Sequence, residues 1–217
     1  HENLMICGEY KTLASSSCDE LTVQKSRFIG YAAPVSSQEE ALDYIKQVKD
    51  KHRDASHHCY AYIIGQNAGI MRYQDDGEPS GTAGQPIMEV LKQRELVDCC
   101  CVVVRYFGGV LLGTGGLARA YSKGCAIAVE AAGLALMEQS ARLMLSVPYS
   151  LWDKIQHRLA GLPQCTEDTR YSDRVTAHLI VRLKDKEAVE KAIAECSDGR
   201  ADLICGEDTF YYAWPSA

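Results

Sequence analysis

The stretch Val102–Val103–Val104–Arg105–Tyr106–Phe107, then Gly108–Gly109–Val110–Leu111–Leu112–Gly113–Thr114–Gly115–Gly116, then Leu117–Ala118–Arg119–Ala120–Tyr121 changes character twice. β-Branched and aromatic residues come first, as a strand favours. Glycines interrupt them, and small residues suited to a helix follow. The run back to Cys99 is almost wholly apolar, the pattern of a strand buried on both faces. The expected helix over 117–132 carries Ala118, Ala120, Gly124, Ala126 and Ala128, residues that let it lie close against a sheet. Strand, glycine loop and helix in this order make an α/β unit. They also build a place for an anion, because a helix's first amides lack partners and glycine lets other groups approach them.

Upstream, Ser26–Pro34 reads as a strand ended by proline, and His58–Ile64 as another closed by Gly65. Between them, Ser36 with Glu39 or Ser37 with Glu40 forms a capping signal for a helix whose inner stripe is Ala41, Leu42, Ile45 and Val48. Residues 67–69 predict a turn into a short strand through Met71 and Tyr73, and Pro86 starts a second helix. The polar segment 7–25 predicts an extended or irregular lead-in.

Downstream the order is strand (142–149), helix begun by Ser150 and Asp153, hairpin (164–170 and 174–182), helix capped by Asp185, and strand (201–212). That is the split βαβ, or ferredoxin-like, arrangement. The expected domains are 5–138 and 139–217, and His1–Leu4 ahead of Met5 reads as an appended leader.

Composition fits a water-soluble globular chain: 217 residues, 47% hydrophobic, 24% charged, net charge −6. Both halves are acidic, so a nucleic-acid contact requires a local basic patch. The ten cysteines include no Cys-x-x-Cys pair and lie partly in the apolar strand at Cys99–Cys101, which argues for free thiols in a reducing cytoplasm. The sequence contains neither a signal-peptide pattern nor an apolar run of membrane length, so no membrane partner is expected.

A second loop, Tyr73–Gly84, is dense in carboxylates. Asp75, Asp76 and Glu78 could hold magnesium beside a phosphate, form an ordinary turn, or pair with Arg105. Residues Gly113–Ala118 match the G-x-G-x-x-A pattern, but Gly108–Leu112 separate them from the strand and no βαβ series surrounds them, against a dinucleotide site. A Walker A lysine, a G-x-S-x-G elbow and an H-E-x-x-H helix are all missing from the sequence. His57 and Cys59 share a strand face, a poor geometry for a nucleophile pair, so His57 is read as ordering the acidic loop or touching a ligand. Arg119 and Lys123 share a helix face. The candidate ligand residues are therefore His57, Asp75, Asp76, Glu78, Thr82, Arg105, Gly108, Gly109, Gly113, Gly115, Gly116, Arg119 and Lys123. No resident cofactor is expected apart from the magnesium alternative, and no catalytic nucleophile stands out.

The chain resembles the YigZ/IMPACT family. The matching motifs are Ser26–Gly30, His57–Tyr62, Asp75–Pro86, Val103–Gly109 and Leu112–Tyr121. The resemblance implies a first domain of the ribosomal-protein-S5-domain-2-like class. It implies a second domain similar to ferredoxin-like elements of elongation factor G. By implication the protein is a translation- or stress-linked regulator that binds RNA, ribosomes or a translation-associated protein. Eukaryotic relatives act through a protein partner and carry a further domain that the residues read here do not include. Two alternatives remain open, an enzyme acting on a small phosphorylated metabolite or nucleotide and a pure interaction adaptor. Asp98 departs from the asparagine expected in the family, which questions any ligand contact by that side chain.

Overall fold

The computed structural model describes residues 8–214. The expected leader at residues 1–4 and the expected domain start at Met5 lie outside the described residues. The chain divides into two compact units whose main bodies are Tyr10–Leu136 and Met137–Tyr212.

The first unit follows β1 (Glu9–Leu13), β2 (Ser17–Val23), β3 (Ser26–Pro34), α1 (Gln38–Lys51), β4 (His57–Ile64), β5 (Ile70–Gln74), α2 (Gly84–Gln93), β6 (Cys99–Tyr106) and α3 (Gly113–Ala132). A five-stranded antiparallel sheet runs β2-β3-β6-β4-β5. Because β3 and β4 both oppose β6, they are parallel to each other, and α1 is the crossover between them. Strand β6 explains the apolar run. Its Cys99, Cys101 and Val103 sit in the core beneath α2 and α3. Its Cys100, Val102 and Val104 sit in the core beneath α1.

Of the small residues of α3, Ala120, Gly124 and Ala128 are buried as their pattern predicts, while Ala118 and Ala126 are half-buried. A Cβ at Gly30 would stand 2.1 Å from the carbonyl oxygen of Gly124. Helix and strand therefore meet backbone to backbone, and alanine cannot replace Gly30 without separating them.

Of the two expectations for the lead-in, the extended one holds: it forms strands β1 and β2. Strand β2 pairs with β3 along its length, from Ser17 opposite Ala32 to Val23 opposite Ser26. The connecting pair Gln24 and Lys25 both take positive φ, 44° and 68°, the geometry that matches a hairpin's twist. Residues of that type usually include glycine or asparagine, and this turn has neither. Ahead of α1, Ser37 rather than Ser36 is the N-cap: its hydroxyl accepts from Glu40 N, while the Glu40 carboxylate accepts from both the amide and hydroxyl of Ser36.

The second unit holds the greater part of β7 (Leu134–Val147), then α4 (Tyr149–Leu159), β8 (Gln164–Tyr171), β9 (Val175–Arg182), α5 (Lys186–Cys196) and β10 (Asp202–Trp214). Strand β7 lies between β10 and β9, with β8 beyond β9, the strand order of a ferredoxin-like sheet. Its core joins Leu143, Leu145, Leu179 and Val181 from the strands to Ile155 and Ile193 from the helices. The two expected caps differ from the reading. Helix α4 starts at Tyr149 after Pro148, so Ser150 lies inside it. Asp185 occupies the N-cap of α5 without a side-chain cap bond; its carboxylate receives Arg182 instead.

Candidate functional site

The acidic loop between β5 and α2 is folded onto its own structure. Asp75 accepts amide hydrogens from Gly81, Ala83 and Gly84 at 2.8–3.1 Å. It thereby caps α2, whose N-cap residue Ala83 has no side chain to do so. Asp76 accepts from the amide of His58 at 2.7 Å. The Asp76 carbonyl lies 2.8 Å from His57 Nδ1, which must carry the hydrogen because a carbonyl can only accept. Thr82 donates to the Pro79 carbonyl at 2.6 Å. Each of these side chains is engaged by the turn itself, by β4 or by the start of α2.

Glu78 turns inward and gathers residues from three elements. Its Oε1 accepts from Arg105 Nη1 of β6 at 2.6 Å and from the Tyr121 hydroxyl of α3 at 2.8 Å. His57 Nε2 of β4 approaches the same oxygen at 3.5 Å. The side chains of Glu78 and Arg105 are 3% and 6% exposed, so this ion pair is buried. Arg105 also donates to Ser26 Oγ and lies between the rings of Phe28 and Phe107. Among the described residues only its Nε, of the buried side-chain polar atoms, lacks a partner. Burial pushes the Cys59 thiol and the Tyr121 phenol well above their ordinary ranges, so neither is an anionic nucleophile here.

The loop after β6 is open. Gly108 packs where a Cβ would lie 1.9 Å from the Lys25 carbonyl, fixing the loop against the β2–β3 turn. Phe107 just before it is half exposed, and Leu111 beyond it is 85% exposed. Gly109 is also exposed, and the chain then enters α3 at Gly113, four residues earlier than expected, so Gly113, Gly115 and Gly116 form its first turn. Leu112 at the N-cap supplies no side-chain cap. Arg119 folds back until its Nη1 would lie 3.3 Å from a Cβ on Gly115. Arg119, Lys123, Gly116 and Gln24 line a cleft of about 180 Å³. Both cations are exposed and, among the described residues, neither has an ion-pair or hydrogen-bond partner.

The thirteen candidates thus separate into an inward set around Glu78 and Asp75 and an outward set at the start of α3. Among the described residues no cluster of three or more His, Cys, Asp and Glu is arranged to hold a metal ion. Sequence reasoning missed Tyr121 and Ser26, which stand 43 and 79 positions from their partners Glu78 and Arg105. It also missed Gln24, hidden in an unmarked turn. Asp98 takes φ 50° and its Oδ1 accepts from Gly65 N at 2.8 Å. An asparagine would supply the same acceptor, so the departure preserves a structural bond.

Comparison with known proteins bears on the whole chain. Residues 24–129 match the Impact N-terminal domain, and 145–200 match a domain of unknown function, DUF1949. IMPACT family member YvyE of Bacillus subtilis is 38% identical over 93% of this chain and 93% of its own length. The chain belongs to the IMPACT family. An IMPACT family member of Haemophilus influenzae is 34% identical over 89% of this chain and 95% of its own. The IMPACT homolog of Saccharomyces cerevisiae matches 45% of this chain and 39% of itself, at 31% identity. A crystal structure titled as a hypothetical protein aligns over 93% of this chain and 98% of its own, with TM-score 0.59 and 28% identity.

Proposed function

We propose that this protein is a cytoplasmic, translation-associated RNA-binding protein that holds backbone phosphate at the start of α3. One observation carries the reading: two unpaired cations, Arg119 and Lys123, share a cleft with the uncapped, glycine-built first turn of α3. The first-turn amides supply donors and the helix dipole favours an anion. Arginine can grip a phosphate bidentately, and lysine adds a point charge. The net charge of −6 means that attraction to RNA is local to this patch. The nine described cysteines are all free, in keeping with a reducing compartment. No helix among the described residues is long and apolar enough to cross a membrane. The link to translation comes from family membership rather than from the geometry. Chemistry on a phosphorylated metabolite draws less support, since the carboxylates that would act as base or metal ligand already hold amides and an arginine.

Fluorescence anisotropy with a single-stranded RNA across a salt series tests this reading. Replacing both cations by alanine should weaken binding and reduce the salt slope by roughly 1.4, about 0.7 for each phosphate no longer neutralised. Unchanged affinity and slope in the double variant would exclude the α3 start as the binding site.

A further inference from the structure

On the opposite face of the five-stranded sheet from α3, a cleft of about 330 Å³ opens between β2, β3 and α1. Its walls include Ser17, Cys18, Tyr31, Tyr44, Gln47 and Lys51, and no acidic residue lines it. The size falls at the small end of ligand clefts, roughly 300–1,000 Å³.

Tyr31 is fixed before any ligand arrives. Its hydroxyl lies 2.6 Å from His52 Nε2, and His52 Nδ1 lies 2.7 Å from the Tyr106 hydroxyl. The Tyr106 hydroxyl donates to Asp54 Oδ1, so His52 Nδ1 is the donor to Tyr106 and Nε2 accepts from Tyr31. With its hydroxyl occupied, Tyr31 offers a ligand its ring. The ammonium of Lys51 stands 5.8 Å from that ring's centroid. Among the described residues Lys51 has no ion-pair partner.

Tyr44 is the complement. Its ring is half buried, yet its hydroxyl has no hydrogen-bond partner among the described residues. The hydroxyl is not among the buried unpartnered atoms, so it reaches the open side of the cleft, where a ligand can meet it. Burial also pushes this phenol well above its ordinary range, so at neutral pH it is an intact donor at the cleft wall. Gln47 adds an exposed amide that can both donate and accept.

We propose that this cleft binds a single nucleotide, its base against the tyrosine rings, the base edge met by Gln47 and the Tyr44 hydroxyl, and its phosphate at Lys51. Aromatic faces, a mixed donor–acceptor edge and one lone cation are the complement of a base carrying one phosphate. This site is separate from the α3 start and does not depend on the function proposed there. The nucleotide can be a free monophosphate or one residue of a single-stranded RNA.

Cys18, exposed at the same cleft, provides a local readout. The test measures its alkylation rate by mass spectrometry on the full chain, with exposed Cys205 of the second unit as reference. The probes are adenosine and uridine monophosphates and, separately, a short single-stranded oligoribonucleotide. Protection of Cys18 but not Cys205 by a monophosphate assigns the site to free nucleotide; protection by the oligonucleotide alone assigns it to RNA. Lys51→Ala should weaken that protection about tenfold, the effect of one charge-assisted hydrogen bond. Tyr44→Phe, which keeps the ring, should weaken it about fivefold. Both variants should melt as the parent does. Failure of every probe to protect Cys18, or protection unchanged in both variants, would overturn the proposal.

Discussion

The acidic loop and the glycine loop look equally functional as sequence, and the fold treats them in opposite ways. Around Asp75, Asp76 and Glu78 the charges meet amides, an arginine and a tyrosine of the same unit. At the start of α3 the amides have no side-chain cap and, among the described residues, the cations have no partner. Density of polar residues therefore distinguishes neither loop. What distinguishes them is whether each donor and acceptor is already satisfied inside the chain, because an unsatisfied group at the surface is the one free to recognise something else.

The comparison can be broken most forcefully at Glu78. Replacing it by alanine leaves the Arg105 guanidinium buried and uncompensated, which should cost about 3–5 kcal/mol of stability in urea denaturation. A loss below about 1 kcal/mol, measured the same way, would mean that the inward cluster is not holding the loop. Gly108→Ala should come next, at about 1–3 kcal/mol, since its new methyl meets the Lys25 carbonyl. This variant separates the structural glycine of the open loop from those that serve a ligand. Asp75→Ala should cost about 1–2 kcal/mol by leaving the start of α2 uncapped. The smallest effect belongs to Arg119→Ala with Lys123→Ala, within about 0.5 kcal/mol of the parent by the same denaturation. That pair should nevertheless produce the largest fall in RNA affinity of the set. Equal falls in affinity and stability would erase the distinction between the two loops.

Much of the architecture is legible in the sequence because burial imposes periodicity. Strand β6, the stripe Ala41, Ile45 and Val48 of α1 and the order of the second unit all follow from where apolar residues recur, whereas Leu42, read into the same stripe, is exposed. Strand β2 is not legible, since four of its seven residues are exposed and its turn lacks the usual punctuation. The start of α3 reads late because glycine is a poor helix former on local grounds; the helix nevertheless continues from Gly113, held by packing further along. At the site, the pairing of Arg105 with the acidic loop stands among the open readings of the sequence. Which acid it meets, and that Tyr121 and Ser26 join, depend on neighbours remote in the chain. The free state of Arg119 and Lys123 cannot be read from sequence at all, because it depends on every acid that could have reached them.

The alternation of β6 has a practical consequence. Cys100 and Cys101 are neighbours in the chain, both fully buried, yet they belong to different cores on opposite sides of the sheet. A reagent that traps thiols can reach Cys100 only when the α1 layer lifts and Cys101 only when the α2–α3 layer does. Two adjacent sulfur atoms thus time the opening of two layers independently, and a single peptide carries both records.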